Sequence, residues 1–169
     1  ADKRDSELRL KPISFLIVLC LVFTTIHGHT KSRAFIFGRG GDSVGLDPAH
    51  EEDGESFKVC ENIYDTLVQY QDDSTEIEPA LAKSWEITAD GLTWTFHLRR
   101  DVDFHDGTPF NADAVLFSLN RQHDADHPFH KIGGHYIYWT DTGLAETVKQ
   151  ITKVDDYTIQ IQLNQPYAP

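Results

Sequence analysis

Four histidines lie close together, His123, His127, His130 and His135, with Asp124, Asp126 and Asp141 nearby. Imidazoles and carboxylates in that density are the donors zinc takes, and an open coordination position beside them would make a hydrolase. Only His123 and His127 hold the i, i+4 spacing that places two ligands on one helix face. The His-Glu-x-x-His wording is absent, and Asp126-His127-Pro128 interrupts the helix there. A metal-dependent hydrolase built on His123–His135 is therefore the rival reading, without a rigid element to carry it. His105-Asp106 supplies two thirds of a triad, but no Gly-x-Ser-x-Gly elbow or comparable serine nucleophile accompanies it. Glu51, Glu52, Asp53 and Glu55 are paired acids on one loop, which cannot face itself across a scissile bond. Gly38-Arg39-Gly40-Gly41 lacks the Lys-Ser/Thr of a phosphate loop and reads as a turn. Cys60 has no Cys-His neighbourhood and reads as a small apolar residue on a helix. No catalytic residue, metal or cofactor is expected.

The elements that would position these groups are mixed α and β. Leu92, Trp94, Phe96 and Leu98 alternate with Thr93, Thr95 and His97, the period of a strand with one buried face. Asp90-Gly91 supplies a type I′ turn, so Ser84–Ala89 folds back on Leu92–Leu98 as a hairpin that carries Trp85 and Ile87. Ile151–Val154 and Tyr157–Leu163 form a second hairpin around Asp155-Asp156. Apolar residues three and four apart predict a helix over Gly54–Tyr70, with Asp53 or Ser56 as N-cap, and another over Ala112–Gln122, capped by Asn111. A shorter helix is expected over Gly143–Gln150, and Ala34–Gly38 reads as a buried strand. Nothing repeats at a fixed period.

The chain has 169 residues, 40% of them apolar and 25% charged, which is the composition of a globular protein. Its formal net charge is −12, and four of its 15 basic but only three of its 27 acidic side chains fall in the first thirty residues. The remainder of the chain is strongly anionic, with no Lys/Arg patch, which excludes nucleic acid as a partner. Lys3, Arg4, Arg9 and Lys11 precede the fourteen apolar or small residues Ile13–Ile26, after which the sequence turns polar at His27. Basic, then apolar, then small is the order of a secretory signal, and fourteen residues fall short of the roughly 18 that span a bilayer. Residues 1–28 are therefore expected to be a cleaved signal peptide, and the protein to be periplasmic or extracellular rather than membrane-embedded. Cys20 follows Leu19 inside the apolar run, which does not suit a lipid-bearing cysteine.

Several separated motifs stand in the order and spacing of one family. They are Leu46-Asp47-Pro48, Leu81-Ala82-Lys83-Ser84-Trp85-Glu86, Asp90 to Arg99, and Phe104 to Pro109. Asn111 to Val115, Phe117-Ser118-Leu119-Asn120-Arg121, Lys153 to Asp156, and Pro166 to Pro169 continue the series. In these the chain resembles the extracellular solute-binding proteins of ABC importers, family 5, which includes dipeptide- and oligopeptide-binding proteins. The resemblance covers about residues 34 to 169. It implies an α/β fold, the N-terminal and incomplete part of a two-lobed, periplasmic-binding-protein type II-like protein. Residues 29–54 would bring the first strand and ligand-facing loop of lobe I, and residues 55–169 its hairpins and helices. The function implied is non-enzymatic capture of peptides and delivery to permease subunits. Nickel complexes, haem, glutathione and oligosaccharides are the alternative cargoes within the family. Ligand contact falls on the residues after Leu-Asp-Pro, namely Glu52, Asp53 and Gly54, with Glu55 beside them. The same resemblance makes His105–Gly107 a tight turn and His127–Lys131 a structural loop.

Overall fold

The computed structural model describes residues 35–132 and 134–167, so the signal peptide expected over residues 1–28 and Cys20 lie outside the described residues. The described residues from Arg39 onward form one compact unit. Its first helix, α1 (Gly54–Cys60), starts at Asp53, whose side chain accepts from the Glu55 and Ser56 amides. The periodicity from Phe57 to Leu67 predicts a helix as far as Tyr70, and here the structure differs. The chain turns at Cys60, whose carbonyl takes the amides of both Ile63 and Tyr64, and continues into strand β1 (Val68–Tyr70). That strand pairs antiparallel with β2 (Ile77–Pro79) in register Val68↔Pro79 and Tyr70↔Ile77. Strand pairing satisfies the backbone there, and Ile63, Tyr64 and Leu67 line an apolar cleft instead of a helix face.

The sheet proper is four antiparallel strands in the order β3-β4-β6-β5. Strand β3 (Ala82–Ile87) and strand β4 (Thr93–Leu98) make the expected hairpin, with Trp85 opposite Phe96 and Ile87 opposite Trp94. Its turn is not the type I′ turn that Asp-Gly suggests. Only Gly91 takes a positive φ, of 72°. Asp90 instead accepts from the Leu92 amide at 3.0 Å and the Thr88 hydroxyl at 2.6 Å, and the Thr88 amide closes the loop on the Thr93 carbonyl. A carboxylate that caps its own turn favours this longer loop.

Helix α2 (Ala112–His123) runs over the predicted span, and the Asn111 side chain accepts from the Ala114 amide at 3.2 Å. Two short helices come next, α3 (Ile137–Asp141) and α4 (Leu144–Thr147). The helix predicted over Gly143–Gln150 is cut short because strand β5 begins at Val148 and runs to Asp155. β5 pairs with β6 (Thr158–Leu163), and its residues from Val148 onward gain ladder bonds that a lone helical turn could not offer. The Ala34–Gly38 expectation fails as well. Residues 35–38 have no regular structure, and Phe35 is 90% exposed, because no strand among the described residues pairs with them.

Side chains from β4 and β6 meet across the ladder as Phe96↔Ile159 and Trp94↔Ile161, so they share one face. Under α2 this face forms a core around Leu98, Ile159, Val115 and Phe110, and a second core gathers Tyr136, Trp139, Val148 and Leu163. Trp94, Leu116, Leu119 and Ile161 touch both. The N-terminus of α2 is tied to the β5–β6 turn by the Ala112 amide on the Asp156 carbonyl. Lys153 adds ion pairs to Asp156 and Asp113, whose hydrogen bonds push its ammonium up to about 12.

Candidate ligand-binding site

The loop that leads into α1 and the first turn of that helix carry the four residues singled out for ligand contact, and the loop is held from both sides. On one side Ser56, fully buried, accepts from the Val44 amide at 2.9 Å and the Gly45 amide at 3.3 Å. Replacing Ser56 with alanine leaves two partly buried amides without an acceptor, so a loss of about 1–2 kcal/mol is expected in urea denaturation. A change below about 0.5 kcal/mol would mean that water takes over both bonds.

On the other side Asp47 forms a two-pronged ion pair with Arg121 of α2, at 2.6 and 2.5 Å. The Asp47 carboxylate also accepts from the Ala49 amide, and its carbonyl takes the His50 amide. The hydrogen bonds from Arg121 hold the Asp47 carboxyl below its ordinary value of 3.8. A carboxyl lowered on folding stabilises fully above 3.8 and loses that contribution as the pH falls through its folded value. Asp47→Asn is therefore expected to melt below the native protein near neutral pH, with the gap closing in acid below 3.8. A gap that stays constant down that titration would contradict the pair's role. Beyond Asp47, the His50 ring stacks on Tyr136 at 4.5 Å and donates from Nδ1 to the His135 carbonyl at 3.2 Å.

Between these anchors the candidates divide. Asp53 is committed to capping α1, and the hydrogen bond from Ser56 keeps its carboxyl below the usual aspartate range. Glu55 pairs with Lys58 at 2.8 Å, and its carbonyl accepts from Arg39 at 3.2 Å. Glu52 and Gly54 are exposed. Of the four candidates, Glu52 thus presents a carboxylate without a partner among the described residues, and Gly54 an open backbone, where nothing lies within 4 Å of a would-be Cβ. An extended peptide, held largely through main-chain hydrogen bonds, can approach such a backbone closely.

The histidines are dispersed among separate partners. His123 packs edge-on to Trp139, and His127 edge-on to Phe117. His130 donates from Nδ1 to the Arg121 carbonyl at 2.8 Å, while His135 contributes its carbonyl to His50. Among the described residues no three His, Cys, Asp or Glu side chains are grouped to hold a metal ion. His105 stands in a tight turn closed by Gly107 at φ 82°, with Asp106 accepting from Thr108. Cys60 is buried, which pushes its thiol above the ordinary range and away from nucleophilic use. Among the described residues no helix is long and apolar enough to cross a membrane.

Sequence reasoning misses the Asp47–Arg121 pair, the Ser56 acceptor and the His50–Tyr136 stack. The only signal for the pair is that Leu46-Asp47-Pro48 and Phe117 to Arg121 each bring one unspent charge of opposite sign.

Comparison with known proteins gives a consistent neighbourhood. Residues 76–169 match the family described as bacterial extracellular solute-binding proteins, family 5 middle. The dipeptide-binding protein of Escherichia coli K12 is 37% identical over 159 residues, which is 89% of this chain and 30% of that protein. Heme-binding protein A of Haemophilus influenzae is 42% identical over 147 residues, 82% of this chain and 27% of that protein. The chain thus spans about three tenths of the length of these curated relatives. Among solved structures, the ABC transporter-associated periplasmic binding protein DppA of Helicobacter pylori, in complex with the peptide STSA, superposes with a TM-score of 0.71. It is 46% identical, over 77% of this chain and 27% of that one.

Proposed function

Because this chain belongs to the bacterial extracellular solute-binding proteins of family 5, we propose that it serves as the peptide-capturing component of an ABC importer. It binds peptides outside the cytoplasmic membrane and hands them to the permease subunits for uptake. The observation that carries this reading is the 46% identity to a binding protein seen with a peptide bound. The loop geometry supports it, since Glu52 and the Gly54 backbone are presented from a frame pinned at Asp47, His50 and Ser56. Ligand capture is completed by closure of a second wall over that surface, which excludes water and strengthens the hydrogen bonds within. The chemistry asked of the site is binding and release, with no bond made or broken.

The match to a haem-binding relative makes haem the competing cargo. A thermal-shift screen of the longest polypeptide in which the reading frame carries these residues separates the two. Di- to pentapeptides are expected to raise the melting temperature, whereas haemin and a nickel–histidine complex leave it unchanged. A shift with haemin alone would replace peptide by haem. Export is part of the same proposal. N-terminal sequencing of secreted protein is expected to begin near His29, and a start near Ala1 would contradict the cleaved signal.

A further inference from the structure

The four candidate contacts come within a few residues after Asp47, and Asp47 is gripped by a side chain from the far end of α2. Arg121 meets both Asp47 oxygens, at 2.6 and 2.5 Å, and its side chain is only 19% exposed. Its own carbonyl is held by His130 Nδ1 at 2.8 Å, so the backbone beneath the guanidinium is itself pinned. α2 in turn packs on the sheet through Val115, Leu116 and Leu119. A planar fork on a rigid helix is well suited to fix a loop in orientation as well as in position.

We infer that Arg121 is a positioning residue for the ligand site: through Asp47 it sets the loop that presents Glu52 and Gly54. The ligand half of this inference rests on the proposed peptide-binding role, whereas the loop half does not. Without the guanidinium, the Asp47 carboxylate keeps its bond from the Ala49 amide, and among the described residues the stretch from Val44 to Ser56 loses its hydrogen-bonded tie to α2. That stretch would sample more conformations while the sheet stays folded, and a peptide would have to select the competent one.

The test uses Arg121→Met, Arg121→Lys and Asp47→Asn in the longest polypeptide that carries these residues. Amide hydrogen exchange reports on the loop, and titration with an equimolar di- to pentapeptide mixture, read by its strongest binder, reports on the site. Arg121→Met is expected to speed exchange at Val44, Gly45 and Ser56 by about tenfold or more and to weaken peptide binding by about tenfold. Protection in β4 and β6 should not change. Arg121→Lys keeps the charge but not the fork, and should recover part of both losses. The double variant of Asp47→Asn with Arg121→Met should be no worse than the worse single one, since the two act as a unit.

Unchanged loop exchange would overturn the inference. So would faster exchange with unaltered peptide affinity, which would make the pair merely structural. If Arg121→Met also loses protection in β4 and β6, Asp47→Asn, which preserves shape, decides on the same two readouts. If the native protein binds none of the peptides, the proposed function falls. The loop exchange then decides the inference alone, with a rise supporting it and no change overturning it.

Discussion

Replacing Trp94 with alanine is expected to destabilise the protein by about 3 kcal/mol, the lower end of what large aromatic-to-alanine changes in cores cost. The indole sits on the central strand β4 between Ile87 and Ile161 of its two neighbours, and stacks at 6.2 Å on Phe96. It touches both apolar cores, so its loss opens a hole where they join rather than at the margin of one. The half-buried position of the ring keeps the figure from the top of the range. Among the described residues its buried Nε1 has no hydrogen-bond partner, so Trp94→Phe forfeits no such bond. That variant should cost less than about 1.5 kcal/mol. Denaturant titration of both variants checks the pair of values, and a loss below about 1 kcal/mol for alanine would show that the two cores do not depend on this ring.

The second large effect concerns affinity. The 169-residue chain by itself is expected to bind peptides at least about a thousandfold more weakly than a polypeptide that supplies a second wall. Glu52 and the Gly54 backbone offer a few exposed hydrogen bonds, each worth about 0.5–1.5 kcal/mol net in water. Ligand immobilisation costs several kcal/mol before any gain appears, so one open surface falls short. Enclosure changes both sides of that balance, because polar contacts strengthen when water is expelled and more of them are made. Isothermal titration of the two polypeptides against the same peptides measures the ratio. Comparable affinity for both would show that this loop and its surroundings form a complete site.

How much of the fold is legible in the sequence depends on the range of the forces involved. The β3–β4 and β5–β6 hairpins and α2 announce themselves through alternation, turn residues and the Asn111 cap, all of which act within a few residues. The failures come where a distant partner decides. Ile63, Tyr64 and Leu67 have helical spacing, yet Val68–Tyr70 is taken by Ile77–Pro79 and the helix ends at Cys60. Val148–Gln150 would suit a helix, but β6 claims it as a strand. Ala34–Gly38 looks like a strand by composition, but among the described residues no neighbour offers residues 35–38 a ladder to join. At the site, Asp53 is legible as a cap because capping is local. Arg121 lies 74 residues from Asp47, a separation that no local pattern spans.

The central claim, that this chain captures peptides and returns them unaltered, is tested most directly by equilibrium dialysis against a di- to pentapeptide mixture. The longest polypeptide containing these residues is used, with mass spectrometry of what is retained. The account predicts saturable retention of intact peptides, about one per protein, with the free pool unchanged in composition after prolonged incubation. Hydrolysed peptides in that pool, or no retention of any peptide at saturating concentration, would contradict it.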